Sequence, residues 1–241
     1  MTEQVTIDQR FHGPLGSGNG GYSCGLLAQF INGPARIRLR IPPPLNQPME
    51  VHREGAAVQL ICKGELVATG EPASLDIGIP APPDFESARN ASARYRGHES
   101  HFYPSCFVCG PQREQGDGLR IFAGPVGADS DPAAMVAAAW IPDESLANES
   151  GTVSDEYLWA ALDCPGAYAF PEPQTGAILL GELAVDIQDT VVAGEKCVLI
   201  GWEIAHQGRK HLTGTALFGE HGRCCAVGQA TWIEVPVKPG G

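Results

Sequence analysis

Two groups of residues in this chain have the types needed for chemistry at a carbonyl carbon. The first is the run Gly18-Asn19-Gly20-Gly21-Tyr22, a glycine-rich approach to an apolar segment. Backbone N–H groups at the start of a helix carry a favourable dipole and can stabilise an oxyanion. Glycine there lets a bound group approach the backbone closely. The second is Asp163, which closes Tyr157-Leu158-Trp159-Ala160-Ala161-Leu162. A carboxylate can act as a base toward water or as a nucleophile. Asn19, Gly20, Gly21 and Tyr22 are therefore the candidate binding residues, and Asp163 the candidate catalytic one.

These groups lie on two copies of one element. Setting Tyr22 on Tyr157 brings Leu27 onto Leu162 and Ala28 onto Asp163 without a gap. The first copy has the glycines and no acid. The second has the acid, with Ser154-Asp155-Glu156 where glycines would stand. Both copies are apolar nearly all round, through Leu26, Leu27, Phe30 and Ile31 in one and Leu158 to Leu162 in the other, which predicts buried helices. Within one helix, Asp163 falls seven positions beyond the counterpart of Gly21. That is roughly 10 Å of rise, too far for one helix to offer both groups to one carbonyl.

The repeat continues into strands. Ala35–Ile41 alternates polar and apolar residues, as does its counterpart Leu183–Gln188. Ala68–Ile77 matches Ala226–Val235 in its pattern of small, polar and apolar positions, and each copy is followed by proline, at Pro80 and Pro236. Further strands are predicted over 56–63, 65–70, 196–205, 210–218 and 223–235. Two more, over 118–122 and 135–140, precede the second helix. Segments 112–117 and 124–132 read as loops. The Pro-rich stretches 42–48 and 80–83 could shape a pocket. The halves are predicted as 1–80 and 102–237, joined by 81–101.

At this point the chain resembles the hotdog superfamily. Cys106-Phe107-Val108-Cys109-Gly110, followed by Gly118-Leu119-Arg120-Ile121-Phe122, is similar to the opening of small phenylacetyl-CoA-type thioesterases. Leu162-Asp163 stands where that group keeps its helix acid, and Gly18–Gly21 is similar to its helix entrance. The resemblance implies an α+β double hotdog, two curved antiparallel sheets each wrapped around a central helix. It implies one composite site between the units, with Gly20-Gly21 from one half and Asp163 from the other. The mirror position, Ala28 with Glu156, would be silent. The implied activity is hydrolysis of an acyl-CoA thioester, coenzyme A entering as part of the substrate and no other cofactor being expected. A non-catalytic acyl-thioester or lipid-binding module and an enoyl-CoA hydratase or dehydratase are the alternatives. A homodimer is implied as well.

Composition narrows the classes. The 241 residues carry a formal net charge of -12, which argues against a broad footprint for nucleic acid or for an anionic membrane. No apolar run is long enough to span a bilayer. The start of the chain shows no secretory signal, and eight cysteines without one read as reduced thiols, so a cytoplasmic setting is expected.

Several motifs have plainer readings. Gly16-Ser17-Gly18-Asn19-Gly20-Gly21 satisfies the dinucleotide-binding glycine pattern, but no strand precedes it and no βαβ unit follows. His98, His101, Cys106 and Cys109 have the types to bind zinc, although the spacing is not that of a familiar finger; no metal is assigned. Cys164 has no histidine near it in sequence to activate it as a nucleophile. Arg36, Arg38 and Arg40 share a strand face that is either solvated or attractive to coenzyme A phosphates. The Arg209-Lys210-His211 cluster lies near a predicted turn at Gly208. Trp159, Trp202 and Trp232 are expected in the core.

Overall fold

The computed structural model describes residues 3–127, 135–171 and 176–236. Eleven strands form one antiparallel sheet. They are β1 (Glu3–Val5), β2 (Ala35–Leu39), β3 (Met49–Glu54), β4 (Ala57–Cys62), β5 (Glu65–Pro72), β6 (Gly124–Pro125), β7 (Val136–Trp140), β8 (Gly176–Ile187), β9 (Cys197–Gln207), β10 (Lys210–Phe218) and β11 (Cys224–Pro236). The helices are α1 (Gly20–Ala28), α2 (Phe85–Ser92), α3 (Asp155–Ala161) and α4 (Cys164–Tyr168).

The spatial order is β1-β3-β4-β5-β2-β8-β11-β10-β9-β7-β6. The order mirrors about its middle: β2, β5, β4 and β3 answer β8, β11, β10 and β9. The duplicated sequence is therefore a duplicated unit, with α1 heading one copy and α3 the other. The sequence predicts two sheets, but the two are hydrogen-bonded edge to edge. β2 pairs with β8 in the register Ala35↔Val185, Arg36↔Ala184, Ile37↔Leu183, Arg38↔Glu182. Each unit thereby supplies partners for the bare N–H and C=O groups of the other's edge strand. Arg36 and Arg38, read from sequence as a solvated or phosphate-attracting face, both pair with Glu182 across this junction. The Arg36 Nε lies 3.3 Å from it and the Arg38 Nε 2.8 Å.

Helix α1 starts where Asn19 caps it, its Oδ1 accepting the Tyr22 N–H at 2.9 Å. Every α1 residue except Gly20 and Leu26 is buried, because the sheet covers one side and α3 the other. The helices run antiparallel and very close. A Cβ on Gly21 would lie 2.5 Å from the Asp163 Cβ, and one on Gly25 would lie 2.7 Å from the Glu156 Cα. Glycines four apart share one helix face, and this face is the contact line.

Several expectations are corrected. Residues 118–122 do not form a strand: Arg120 has φ 53°, which breaks the pleat. Leu119 and Ile121 donate their N–H groups to Phe107 and Val108 carbonyls instead. β3 was not predicted; in Met49-Glu50-Val51-His52-Arg53-Glu54 only Met49 and Val51 are buried, so the alternation stops halfway. The second helix is not continuous. It breaks at Leu162-Asp163 and resumes as α4, with Pro165 in its first turn, where a missing N–H costs nothing. The segment 81–101 also contains α2, packed on β6, β7 and β9. The predicted loop 124–132 begins as β6, and residues 128–132 lie outside the described residues. Trp159 and Trp232 are buried as expected, while Trp202 is only partly so.

Candidate functional site

The break after Leu162 turns the Asp163 side chain toward the start of α1. One carboxylate oxygen, Oδ2, accepts the Gly21 N–H at 2.9 Å and the Asn19 Nδ2–H at 2.9 Å. Asn19 thus caps its own helix with its oxygen and holds the acid of the other unit with its nitrogen. The second oxygen, Oδ1, is buried and has no hydrogen-bond partner among the described residues. Asp163 is only 2 % exposed. Burial pushes its carboxyl up to about 7; the Gly21 N–H and Asn19 pull the other way, and the nearby Cys106 adds to the rise.

Asp163, Asn19 and Gly20 line a pocket of about 370 Å³ between the units. Its walls are mainly apolar, with Ile178, Leu180, Trp232 and Tyr168 among them, and Pro42 and Pro43 form part of its edge. Arg40 also lines it, exposed and with no carboxylate partner among the described residues. The Gly20 N–H has no acceptor among the described residues. The Leu180 side chain would lie 2.8 Å from a Cβ at Gly20, so the pocket wall closes on the bare backbone there.

Asn19, Gly20, Gly21 and Asp163 are therefore brought together from residues 142 to 144 positions apart. Two of the expected donors are already engaged: the Gly21 amide holds Asp163 and the Tyr22 amide holds Asn19. Tyr22 does not line the pocket. Its ring stacks on Phe11 at 4.1 Å and meets Tyr157, its own repeat counterpart, at 5.8 Å. At the mirror position no acid among the described residues faces α3. Glu156 instead accepts the Gln29 Nε2–H at 3.0 Å, in a separate, polar pocket.

The sulfur-bearing residues sort differently from their sequence order. His98 turns away, its Nε2 at 3.3 Å from the Ser92 carbonyl. His101 lies 3.4 Å from the Cys109 sulfur. Cys164 joins Cys106 and Cys109, the three sulfurs lying within 4.8 Å of one another. Sequence reasoning missed that grouping because Cys164 lies more than fifty residues from the other two, and only the tertiary fold brings it beside them. His211 is also unexpected in its setting. Its ring is buried between Phe170 and His206, with Glu203 and Glu234 on its two nitrogens.

The antiparallel sheet rules out a dinucleotide site on Gly16–Gly21, which needs a βαβ unit. No protein-family model matches the chain, and no curated protein matches it. Solved structures do. A tesB protein of Mycobacterium avium subspecies paratuberculosis is similar over 97% of this chain and 92% of its own, with a TM-score of 0.61 and 14% identity. An acyl-CoA thioesterase II of Mycobacterium marinum gives 0.61 and 13%, covering 98% and 93%. A protein of unknown function with a hot dog fold from Alicyclobacillus acidocaldarius gives 0.55 and 10%, covering 97% and 93%. The chain has the double hotdog fold.

Proposed function

We propose that the chain hydrolyses acyl thioesters of coenzyme A at the single site between its two units. The observation that carries this reading is Asp163: a buried carboxylate of one unit seated on the helix start of the other, in the wall of an apolar pocket. Water attacks the thioester carbonyl and Asp163 takes its proton through the unpartnered Oδ1. The Gly20 N–H, at the positive end of α1, receives the developing oxyanion. The carbon–sulfur bond then breaks and the thiolate leaves with the proton. The apolar walls take the acyl group, and Arg40 attracts the phosphates. The names of the similar thioesterases agree with this reading. No helix among the described residues is long and apolar enough to cross a membrane. A cytoplasmic setting and a pair of chains belong to the same proposal.

One observation favours a second reading. The Gly21 and Tyr22 amides are engaged within the protein, which suits a module that binds acyl thioesters without cleaving them. Steady-state kinetics with a series of acyl-CoAs separates the two. Hydrolysis predicts release of the free thiol, with kcat/KM rising with pH through about 7 as Asp163 ionises. Asp163→Ala should lower kcat by about 100-fold or more. Saturable binding without turnover, unchanged in Asp163→Ala, would establish the binding module instead.

A further inference from the structure

Cys106, Cys109 and Cys164 converge on one point of the pocket wall, and the hydrolytic scheme uses none of them. All three are buried. Their sulfurs lie within 4.8 Å of one another, Cys106 and Cys164 being 4.0 Å apart. They come from two separate stretches: the turn 106–110 and the first residue of α4.

Two N–H donors outside the trio face its sulfurs. The Asn19 side-chain amide, which also holds Asp163, points its Nδ2–H at the Cys106 sulfur 3.8 Å away. The turn that sets Cys106 beside Cys109 is closed by the Gly110 N–H on the Cys106 carbonyl at 2.9 Å. Gly110 is required there, because a Cβ would lie 2.5 Å from the Cys106 nitrogen. His101 supplies a second donor. Its Nδ1 accepts the Tyr103 N–H at 2.8 Å, which leaves the ring proton on Nε2, aimed at the Cys109 sulfur 3.4 Å away. In this tautomer His101 supports the sulfur and does not itself ligate.

The geometry points to a zinc site with Cys106, Cys109 and Cys164 as its three protein ligands. Tetrahedral zinc with sulfur at about 2.3 Å sets its sulfurs about 3.8 Å apart, so the trio needs only a small inward movement. Binding exchanges three thiol protons for one Zn²⁺, giving a tris-thiolate of charge minus one. Water completes the tetrahedron from the pocket, which all three cysteines line. Donors from outside the ligand set, as here from Asn19 and His101, orient and stabilise such ligands. A disulfide between any two would strand the third.

The test measures metal, not activity. The full chain, expressed with zinc, should carry one zinc per chain by elemental analysis. Exchange into cobalt should give thiolate-to-cobalt charge-transfer absorption in the near ultraviolet, with visible bands of tetrahedral strength. Cys164→Ser should weaken zinc at least about tenfold against a chromogenic chelator, whereas Cys62→Ser, on β4 and outside the trio, should keep it. The wild-type measurements stand even where Cys164→Ser does not fold. Metal content far below one equivalent after reconstitution, a cobalt spectrum without thiolate absorption, or a disulfide within the trio would overturn the site.

Discussion

Asp163 is the residue where stability and chemistry oppose each other. Its carboxyl titrates near 7 against an ordinary value of 3.8, chiefly because it is buried. The folded protein therefore holds a proton that the unfolded chain releases between those values. Below pH 4 both states are protonated and the group costs nothing. As pH rises toward and through 7 the stabilising difference is lost, an effect of about 4 kcal/mol for a shift of this size. Asp163→Asn removes the titration while keeping the acceptor for Asn19 and Gly21. Urea unfolding should show the variant gaining on the wild type between pH 4 and pH 8. A difference that does not change with pH would mean that Asp163 is not a buried charge.

At the scale of elements, the contact of α1 with α3 decides whether the acid reaches the other helix. In an exposed helix, replacing glycine by alanine stabilises by about 1 kcal/mol. Gly25→Ala should do the reverse here, because the added carbon would lie 2.7 Å from the Glu156 backbone and 2.8 Å from the Trp159 Cβ. Forcing the helices apart is expected to cost about 1–3 kcal/mol. Since Gly25 touches neither Asp163 nor the pocket, lost activity in this variant would report helix spacing alone. Thermal unfolding of Gly25→Ala gives the sign directly, and an unchanged or raised Tm would refute the close-packed contact.

At the scale of the molecule, the units share a sheet, a helix pair and a pocket. The β2–β8 ladder, its Arg36 and Arg38 pairs to Glu182, and the seating of Asp163 on α1 all cross between them. Neither unit can expose its junction strand without leaving a row of unpaired backbone groups. The chain should therefore unfold in one cooperative step, with circular dichroism and tryptophan fluorescence giving coincident transitions. Two separated transitions would show that the units are independently stable.

The sequence determined what was local or periodic. The register of Tyr22 on Tyr157 revealed the duplication, because a gapless match survives drift in composition. Alternation marked β2, β8 and the long C-terminal strands, because each has one buried face. Apolar residues all round marked both helices as central. Asp163 and the glycines of α1 stood out because each is missing from the other copy. Tertiary structure decided what depends on direction and distance. It joined two sheets at β2 and β8, and a charged alternating strand does not declare its neighbour. It gave the Gly21 amide to Asp163 rather than to a substrate, since glycines at 21 and 25 let the helices close until the acid reaches the backbone. It also gathered Cys164 with Cys106 and Cys109, a grouping set by the kink between α3 and α4 that no spacing along the chain encodes.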